Sequence, residues 1–238
     1  MDEHQQRPPE VLAAAVDSAN NLPDVAAIIA ARAQARLRAD AAVLTAGGDG
    51  RPEPPRRLAA AGPLVGSLDA VLDEHGPGPM AGELACGSSL TIGDTRDDDT
   101  WTTWSGAAAR HGVRSVILIG LLPLAGSWIR LDLFSHRPHA FSSEDVARAE
   151  ELAGMAGIAL RLARRLGHLE QALQTRDVIG QGQGIVMERY GLDSDHALSF
   201  LRRTSQASQV RVRDLAQELV DGSPGAVAPG AEPEEGPA

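Results

Sequence analysis

The chain has 238 residues, a length that allows one large domain or two small ones. Hydrophobic residues make up 43% and aromatic residues only 3%, so a core has to be built from Ala, Leu, Val and Ile. The formal net charge of −10 disfavours nonspecific nucleic-acid binding, and any nucleic-acid surface must therefore be a local patch.

Lysine is absent, and all 22 basic residues are arginine. The chain therefore lacks the lysine of P-loop sites, of protein kinases and of Schiff-base enzymes. Cys86 is the only cysteine, which excludes an intrachain disulfide and a cysteine-based zinc finger. No apolar run reaches the roughly 18 residues that span a membrane, and residues 1–10 are polar with two prolines. We therefore expect no signal peptide and a cytoplasmic protein.

Helix and strand patterns alternate over the first 160 residues. Helices are predicted over 24–38, 67–74 and 100–111, and strands over 41–45, 57–61, 115–122 and 128–135, with a weak strand signal over 84–92. The clearest strand is 128–135, in which two sets of residues alternate: Ile129, Leu131 and Leu133, and Arg130, Asp132 and Phe134. This order predicts an α+β fold, with an antiparallel sheet and helices on one or both faces.

A long helix is predicted from Ser142 onward, capped by Ser142 or Ser143. Apolar residues follow alternating steps of three and four, which predicts a coiled-coil seam of about three heptads: Leu152, Met155, Ala159, Leu162, Leu166, Leu169 and Leu173. Either this line packs on its own domain, or its last four leucines join two copies. We favour a homodimer, because residues 162–173 lie past the end of any compact N-terminal domain.

Three helices with one shared core are predicted at the C-terminal end, before a tail rich in Pro, Gly, Ala and Glu. The first continues to Tyr190 and ends at Gly191, a natural left-handed C′ residue. The second spans 194–206 behind the cap residue Asp193, and the third spans 213–220. Their inward residues are Ile179, Ile185, Val186, Tyr190, Ala197, Leu198, Phe200, Leu201, Leu215, Ala216, Leu219 and Val220.

The strongest family resemblance lies over residues 176–220, RDVIGQGQGIVMERYGLDSDHALSFLRRTSQASQVRVRDLAQELV. This stretch resembles the ANTAR domain, the RNA-binding output module of bacterial antitermination regulators. The resemblance implies binding to stem-loops in nascent mRNA, which stops terminator hairpins from forming. Relatives commonly have Ala-Lys where this chain has Gly182-Gln183, so a phosphate contact is lost here.

Arginine planes stack on unpaired bases and bridge phosphates, and short polar side chains bond to base edges. The candidate RNA-binding residues are Arg176, Gln183, Arg189, Arg202, Arg203, Ser205, Gln206, Arg211 and Arg213. Three glycines inside the first helix, Gly180, Gly182 and Gly184, each cost about 1 kcal/mol relative to Ala. They indicate close approach either of a packed helix, which we favour, or of RNA.

Residues 24–160 resemble a GAF domain of the kind that precedes ANTAR modules in actinobacteria. Four motifs carry the resemblance: 72–79 (LDEHGPGP), 97–101 (DDDTW), 111–116 (HGVRSV) and 137–145 (RPHAFSSED). GAF domains sense small molecules, and the candidate ligand pocket is Trp101, Trp104 and Cys86. An empty domain that serves only dimerisation is the alternative.

No cofactor is expected in this domain. Cyclic-nucleotide-binding relatives carry an Asn-Lys pair, which a chain without lysine cannot have. Bilin-binding relatives usually place a histidine after the attachment cysteine, and Gly87 follows Cys86 here. Cys86 itself is expected to be a small buried hydrophobe. Four histidines show no tight ligand spacing, so no metal is expected: His75, His111, His136 and His139.

The predicted organisation has five parts: a disordered or helical N-terminal arm (1–23), a GAF-like sensor (24–160), a coiled-coil linker helix (161–175), an all-α ANTAR-like bundle (176–221) and a disordered tail (222–238). The predicted function is that of a homodimeric antitermination regulator, with no catalytic residue and no membrane partner. Its expected partners are RNA stem-loops and an unidentified small molecule.

Two alternatives belong to other functional classes. A DNA-binding regulator is the first, because three helices can dock in a major groove, although no helix has a run of Arg, Asn and Gln along one face. A redox enzyme using Cys86 is the second, and it lacks a nearby partner cysteine.

Overall fold

The computed structural model describes residues 21–48, 55–82, 84–124 and 127–222. Most of the predicted N-terminal arm, the middle of the loop 46–55 and nearly all of the predicted tail lie outside these ranges. The chain divides into two compact units, residues 1–167 and 168–238, which are described separately. In the described ranges, every helix is too short or too polar to cross a membrane.

One five-stranded antiparallel sheet forms the centre of the first unit. The helices are α1 (Leu22–Arg36), α2 (Val65–His75), α3 (Thr102–Arg110) and the beginning of α4 (Ser143–Tyr190). The strands are β1 (Ala41–Gly47), β2 (Arg56–Ala61), β3 (Ser89–Ile92), β4 (Ser115–Gly120) and β5 (Trp128–Ser135). They lie in the order β2-β1-β5-β4-β3, and each neighbouring pair is antiparallel. The predicted α+β class is confirmed.

Capping hydrogen bonds and a glycine turn determine where several helices and strands begin or end. Asn21 caps α1 by accepting a hydrogen bond from the Asp24 N–H at 2.9 Å, so Pro23 lies inside the first turn instead of breaking the helix. The predicted strand 84–92 is too long, because a turn at Gly87, with φ of 76°, leaves only Ser89–Ile92 in the sheet. At the start of α4, the Ser142 hydroxyl accepts from the Asp145 N–H at 3.2 Å, as the capping prediction requires.

The sheet separates two cores, and the central strand β5 contributes to both. Ile129, Leu131 and Leu133 pack into the core covered by α1 and α4. Arg130, Asp132 and Phe134 point to the opposite face, which α2 and α3 cover. All six are buried, which confirms the alternation predicted for this strand.

The second unit is a bundle made from the end of α4, α5 (Ser194–Ser208) and α6 (Val212–Val220). Gly191, with φ of 64°, follows the last residue of α4, and Asp193 caps α5 by accepting from the His196 N–H at 2.9 Å. The Tyr190 and Phe200 rings lie 5.2 Å apart at the edge of the core. The predicted three-helix bundle is confirmed, with this buried set: Val186, Ala197, Phe200, Leu201, Leu215, Ala216 and Leu219.

Candidate RNA-binding surface

Positive charge in the second unit is concentrated in one stretch. Residues 196–213 contain four arginines and no acidic residue, a local balance of +4. The rest of the described unit, 168–195 and 214–222, has two arginines against eight acids, a balance of −6: Glu170, Asp177, Glu188, Asp193, Asp195, Asp214, Glu218 and Asp221. An acidic module therefore carries one basic surface, which is the arrangement that phosphate binding requires.

The four arginines flank the turn between α5 and α6, and we call them the arginine corner: Arg202, Arg203, Arg211 and Arg213. The first two are exposed on α5, Arg211 is the exposed residue before α6, and Arg213 is half-buried in its first turn. Within the described ranges none of them is in an ion pair. Their guanidinium groups are therefore available to an anionic partner.

The remaining predicted arginines, Arg176 and Arg189, are exposed on α4. They are thirteen residues apart, which at about 100° per residue places them on different sides of the helix. They cannot both lie on one face with the same partner, so the nine predicted RNA-binding residues do not form a single surface.

Two of the polar side chains predicted to contact RNA form hydrogen bonds inside the bundle. The Gln183 side-chain amide donates to the Ser194 carbonyl at 2.6 Å and to the Ser194 hydroxyl at 2.9 Å, which ties α4 to the start of α5. The Ser205 hydroxyl donates to the Val210 carbonyl at 2.5 Å and fixes the turn within the arginine corner. Gln206 is exposed on α5 beside this turn. Gln183 and Ser205 thus donate hydrogen bonds inside the bundle, and contact of all three side chains with RNA stays a prediction.

The three glycines near the C-terminal end of α4, Gly180, Gly182 and Gly184, have different surroundings. A Cβ built on Gly182 would lie 2.8 Å from the Ala216 Cβ, so this glycine permits close packing of α4 on α6. A Cβ on Gly180 or Gly184 would meet nothing within 4 Å. Helix packing therefore accounts for Gly182, and it does not account for the other two.

Large apolar side chains lie exposed along one part of α4. The exposed set consists of Ile158 and the four leucines of the predicted dimer seam, Leu162, Leu166, Leu169 and Leu173. The exposed fractions of these five side chains range from 44% to 61%. The N-terminal part of the predicted coiled-coil seam is wrong. Leu152 and Ala159 are buried in the core between the sheet and helices α1 and α4, and Met155 packs against that core. The helix packs on its own domain as far as Ala163, and the four leucines lie exposed on it.

The three predicted pocket residues of the first unit are not brought together as a pocket. Trp104 is buried against Gly78, where a Cβ would lie 2.2 Å from the indole, so the GPGP motif makes room for this ring. Trp101, the residue before α3, is exposed. Cys86 is exposed, so its predicted burial is wrong: the turn that ends the predicted strand 84–92 carries it out of the sheet.

A buried ion pair, which the sequence analysis did not single out, lies at the centre of the same face. Arg130 donates to the Asp132 carboxylate at 2.5 and 3.1 Å, and to the carbonyls of Met80 and Gly82 at 2.9 and 2.7 Å. Burial raises the pKa of Asp132, while the charge of Arg130 opposes the rise. The pair fixes the segment after α2 to the sheet. Two charged residues within a strand predicted to be buried were a signal in the sequence that could have identified this pair.

A cleft of about 310 Å³ lies beside this ion pair, between β1 and α2. Its walls are mostly apolar, and they include Val43, Thr45, Leu68, Leu72, Met80 and Phe134. Arg57 also lines the cleft and is paired with Asp69 on α2. None of the three predicted pocket residues is among the described residues that line it.

Asp94, Asp97 and His139 place potential ligand atoms within 4.8 Å of one another. Arg114, however, donates to both carboxylate oxygens of Asp94, at 3.0 and 2.6 Å, and lowers its pKa to about 2. The Asp94 carboxylate is therefore already paired with a cation of the protein itself.

The fold of the first unit is that of a GAF domain. The chain superposes on the phycoerythrobilin-bound GAF domain of a cyanobacterial phytochrome with a TM-score of 0.50 and 12% identity, covering 72% of this chain and all of that one. It also superposes on the Stigmatella aurantiaca phytochrome photosensory core module (TM-score 0.53, 10% identity) and on a bacteriophytochrome from R. palustris (0.52, 10%). These alignments cover 86% and 76% of this chain but only 46% and 41% of those proteins. At such identities the likeness shows the fold alone.

The second unit is similar to a different family. Residues 167–220 match the ANTAR domain, which covers the end of α4, α5 and α6 and includes the whole arginine corner. No curated protein matches the chain as a whole. The chain is therefore similar to a GAF domain in its first unit and to an ANTAR domain in its second.

Proposed function

We propose that this protein is an RNA-binding regulator of transcription antitermination, in which the ANTAR-like unit binds stem-loops in nascent mRNA and the GAF-like unit is a sensor. The arginine corner carries the proposal, because it lies in a stretch without acidic residues, within the matched region, and its guanidinium groups form no ion pair with described residues. Bound stem-loops compete with terminator hairpins for the same RNA, so the mechanism needs no reaction chemistry. It requires a cytoplasmic location, where nascent transcripts are made.

The arginines suit folded RNA for two reasons. Guanidinium groups contact two phosphate oxygens at once and stack on bases that a loop leaves unpaired. Their position on both sides of a short turn, fixed by Ser205, gives them a common rigid support. The extended aromatic platform of single-strand binders is absent from the described part of this unit, where Tyr190 and Phe200 pack on each other.

The protein acts as a homodimer in this proposal, joined through Leu162, Leu166, Leu169 and Leu173. Their spacing of four, three and four residues is that of a two-stranded coiled coil, and their exposed apolar area favours burial against an identical helix. A dimer presents two RNA-binding units, so paired hairpins bind with a higher effective concentration than single ones.

Salt dependence of RNA binding tests the proposal. Four phosphate contacts predict a slope of log affinity against log salt of about −3 to −4, and roughly a hundredfold loss from about 50 to about 200 mM salt. Arg203→Ala or Arg211→Ala should each weaken hairpin binding and reduce that slope by about one. Arg36→Ala, which removes an exposed arginine of the first unit, is the matched control and should leave binding unchanged.

Competition with nucleic acids of defined structure separates the proposal from its alternative. Hairpin RNA should displace a bound hairpin, and duplex DNA of equal length should not. Preference for duplex DNA would support a DNA-binding regulator instead. Binding that ignores salt, or that survives both arginine substitutions, would show that the corner is not the RNA surface.

A further inference from the structure

We infer that the cleft between β1 and α2 is a binding site for a small, uncharged and mainly apolar molecule, about the size of two fused rings. The inference concerns the first unit alone and does not depend on RNA binding by the second. It rests on the volume of the cleft, on the chemistry of its walls and on the pairing of both neighbouring arginines.

The volume sets the size of the ligand. An apolar cavity of about 150 Å³ holds benzene, and pockets for larger ligands begin near 300 Å³. The cleft, at about 310 Å³, is twice the benzene cavity and suits a bicyclic skeleton. Trp104 and the Arg130–Asp132 pair are buried on the same face of the sheet.

The residues that line the cleft determine which ligand polarity it favours. Val43, Leu68, Leu72 and Phe134 offer apolar contact, and Thr45 offers one hydroxyl. The Thr45 hydroxyl donates to the Asp132 carboxylate over a long distance of 3.4 Å. This hydrogen bond is weak, and a ligand with one polar group can replace it. The site therefore favours apolar contact with a single hydrogen bond.

The charges exclude anions. Arg57, the charged side chain among the described lining residues, is paired with Asp69. Arg130, which holds the Met80 carbonyl beside the cleft, is paired with Asp132. Each guanidinium has its own carboxylate, so neither is left for a phosphate or carboxylate group. An anionic ligand would lose hydration without gaining a countercharge.

Two probes with the same ring system test the charge argument on the full-length protein. 2-Naphthol is uncharged at neutral pH and carries one hydroxyl, whereas naphthalene-2-sulfonate is an anion. In equilibrium dialysis, 2-naphthol should bind at one site per chain, and the sulfonate should bind at least about tenfold more weakly, since an unpaired charge costs more than that factor on burial.

Substitutions locate the site. Asp69→Asn frees Arg57 and should tighten sulfonate binding several-fold, with 2-naphthol changed less than about twofold. Thr45→Phe fills the cleft and should abolish 2-naphthol binding, and Leu72→Phe provides a second filling variant if the first unfolds by circular dichroism. Thr91→Phe, at an exposed position of β3, is the control for an added phenyl ring and should bind like the wild type.

Three results would overturn the inference. Equal affinity of the wild type for both probes would remove the charge argument. Saturable binding that persists in a folded filling variant would place the site elsewhere, for example on the exposed leucines of α4. Absence of saturable 2-naphthol binding would show that the cleft is not a site for this class of ligand.

Discussion

Replacing Gly180, Gly182 and Gly184 of α4 one at a time by alanine measures what close packing contributes to the second unit. The three positions share one helix and one chemical change, so the gain in helix propensity, about 1 kcal/mol, is common to all of them. Their surroundings differ, because only Gly182 faces another helix, with Ala216 at 2.8 Å from an added Cβ. The comparison between variants therefore isolates a steric effect.

Gly180→Ala and Gly184→Ala should each stabilise the second unit by about 0.5–1 kcal/mol, because an added methyl group meets nothing within 4 Å. Gly182→Ala gains the same propensity but forces α6 away from α4, and overpacking costs about 1–3 kcal/mol. The difference in unfolding free energy between Gly182→Ala and either partner variant should thus be about 1–3 kcal/mol. At this domain size, 1 kcal/mol shifts the melting temperature by about 4–8 °C.

Thermal unfolding of the full chain by circular dichroism measures these shifts. Tryptophan fluorescence is the internal control, because all three tryptophans are at or before residue 128, in the first unit, and their transition should not move. A loss of stability in Gly180→Ala or Gly184→Ala as large as in Gly182→Ala would refute the reasoning, and would mean that another surface covers these two glycines.

Three further substitutions test other parts of the molecule. Arg130→Met should destabilise the first unit by about 3–5 kcal/mol, since it leaves Asp132 buried without a countercharge, and adding Asp132→Leu should restore part of the loss in denaturant titrations. Leu166→Glu with Leu169→Glu should convert the dimer into monomers in sedimentation experiments, and a persistent dimer would show that the interface lies elsewhere. Asp94→Asn should lower stability at neutral pH. Because the folded pKa of Asp94, about 2, is below the unfolded value, this difference should shrink as the pH falls from about 4 to about 2, and a pH-independent difference would contradict the ion-pair account.

The sequence predicted the elements whose signal is local. Strand β5 was predicted at its observed bounds, because its side chains alternate between two cores. Asp193 and Gly191 were predicted as cap and C′ residue, because cap chemistry depends on a few neighbouring positions. Predictions of this kind need no knowledge of the tertiary structure.

Predictions that depend on distant contacts were weaker. Heptad spacing placed Leu152 and Ala159 in the coiled-coil seam, but both pack into the core between the sheet and helices α1 and α4, and spacing alone cannot tell a sheet from a second helix. Gln183 was predicted to meet RNA from its place in the family motif and Ser205 from its hydroxyl, and the sequence did not show that each bonds to a residue brought near by a turn. The acid-free stretch 196–213, which holds all four residues of the arginine corner, was visible in the sequence.

Because β5 supplies side chains to both cores, the two helical layers of the first unit share one support. Neither layer can separate without exposing side chains of the strand whose alternate residues hold the other layer. We therefore expect the amide protons of β5 to exchange with solvent only through global unfolding, while those of the edge strands β2 and β3 exchange through smaller openings. A molecule bound in the cleft raises the free energy of global unfolding, so it would slow exchange of the β5 amides that pair with β1 and with β4 alike.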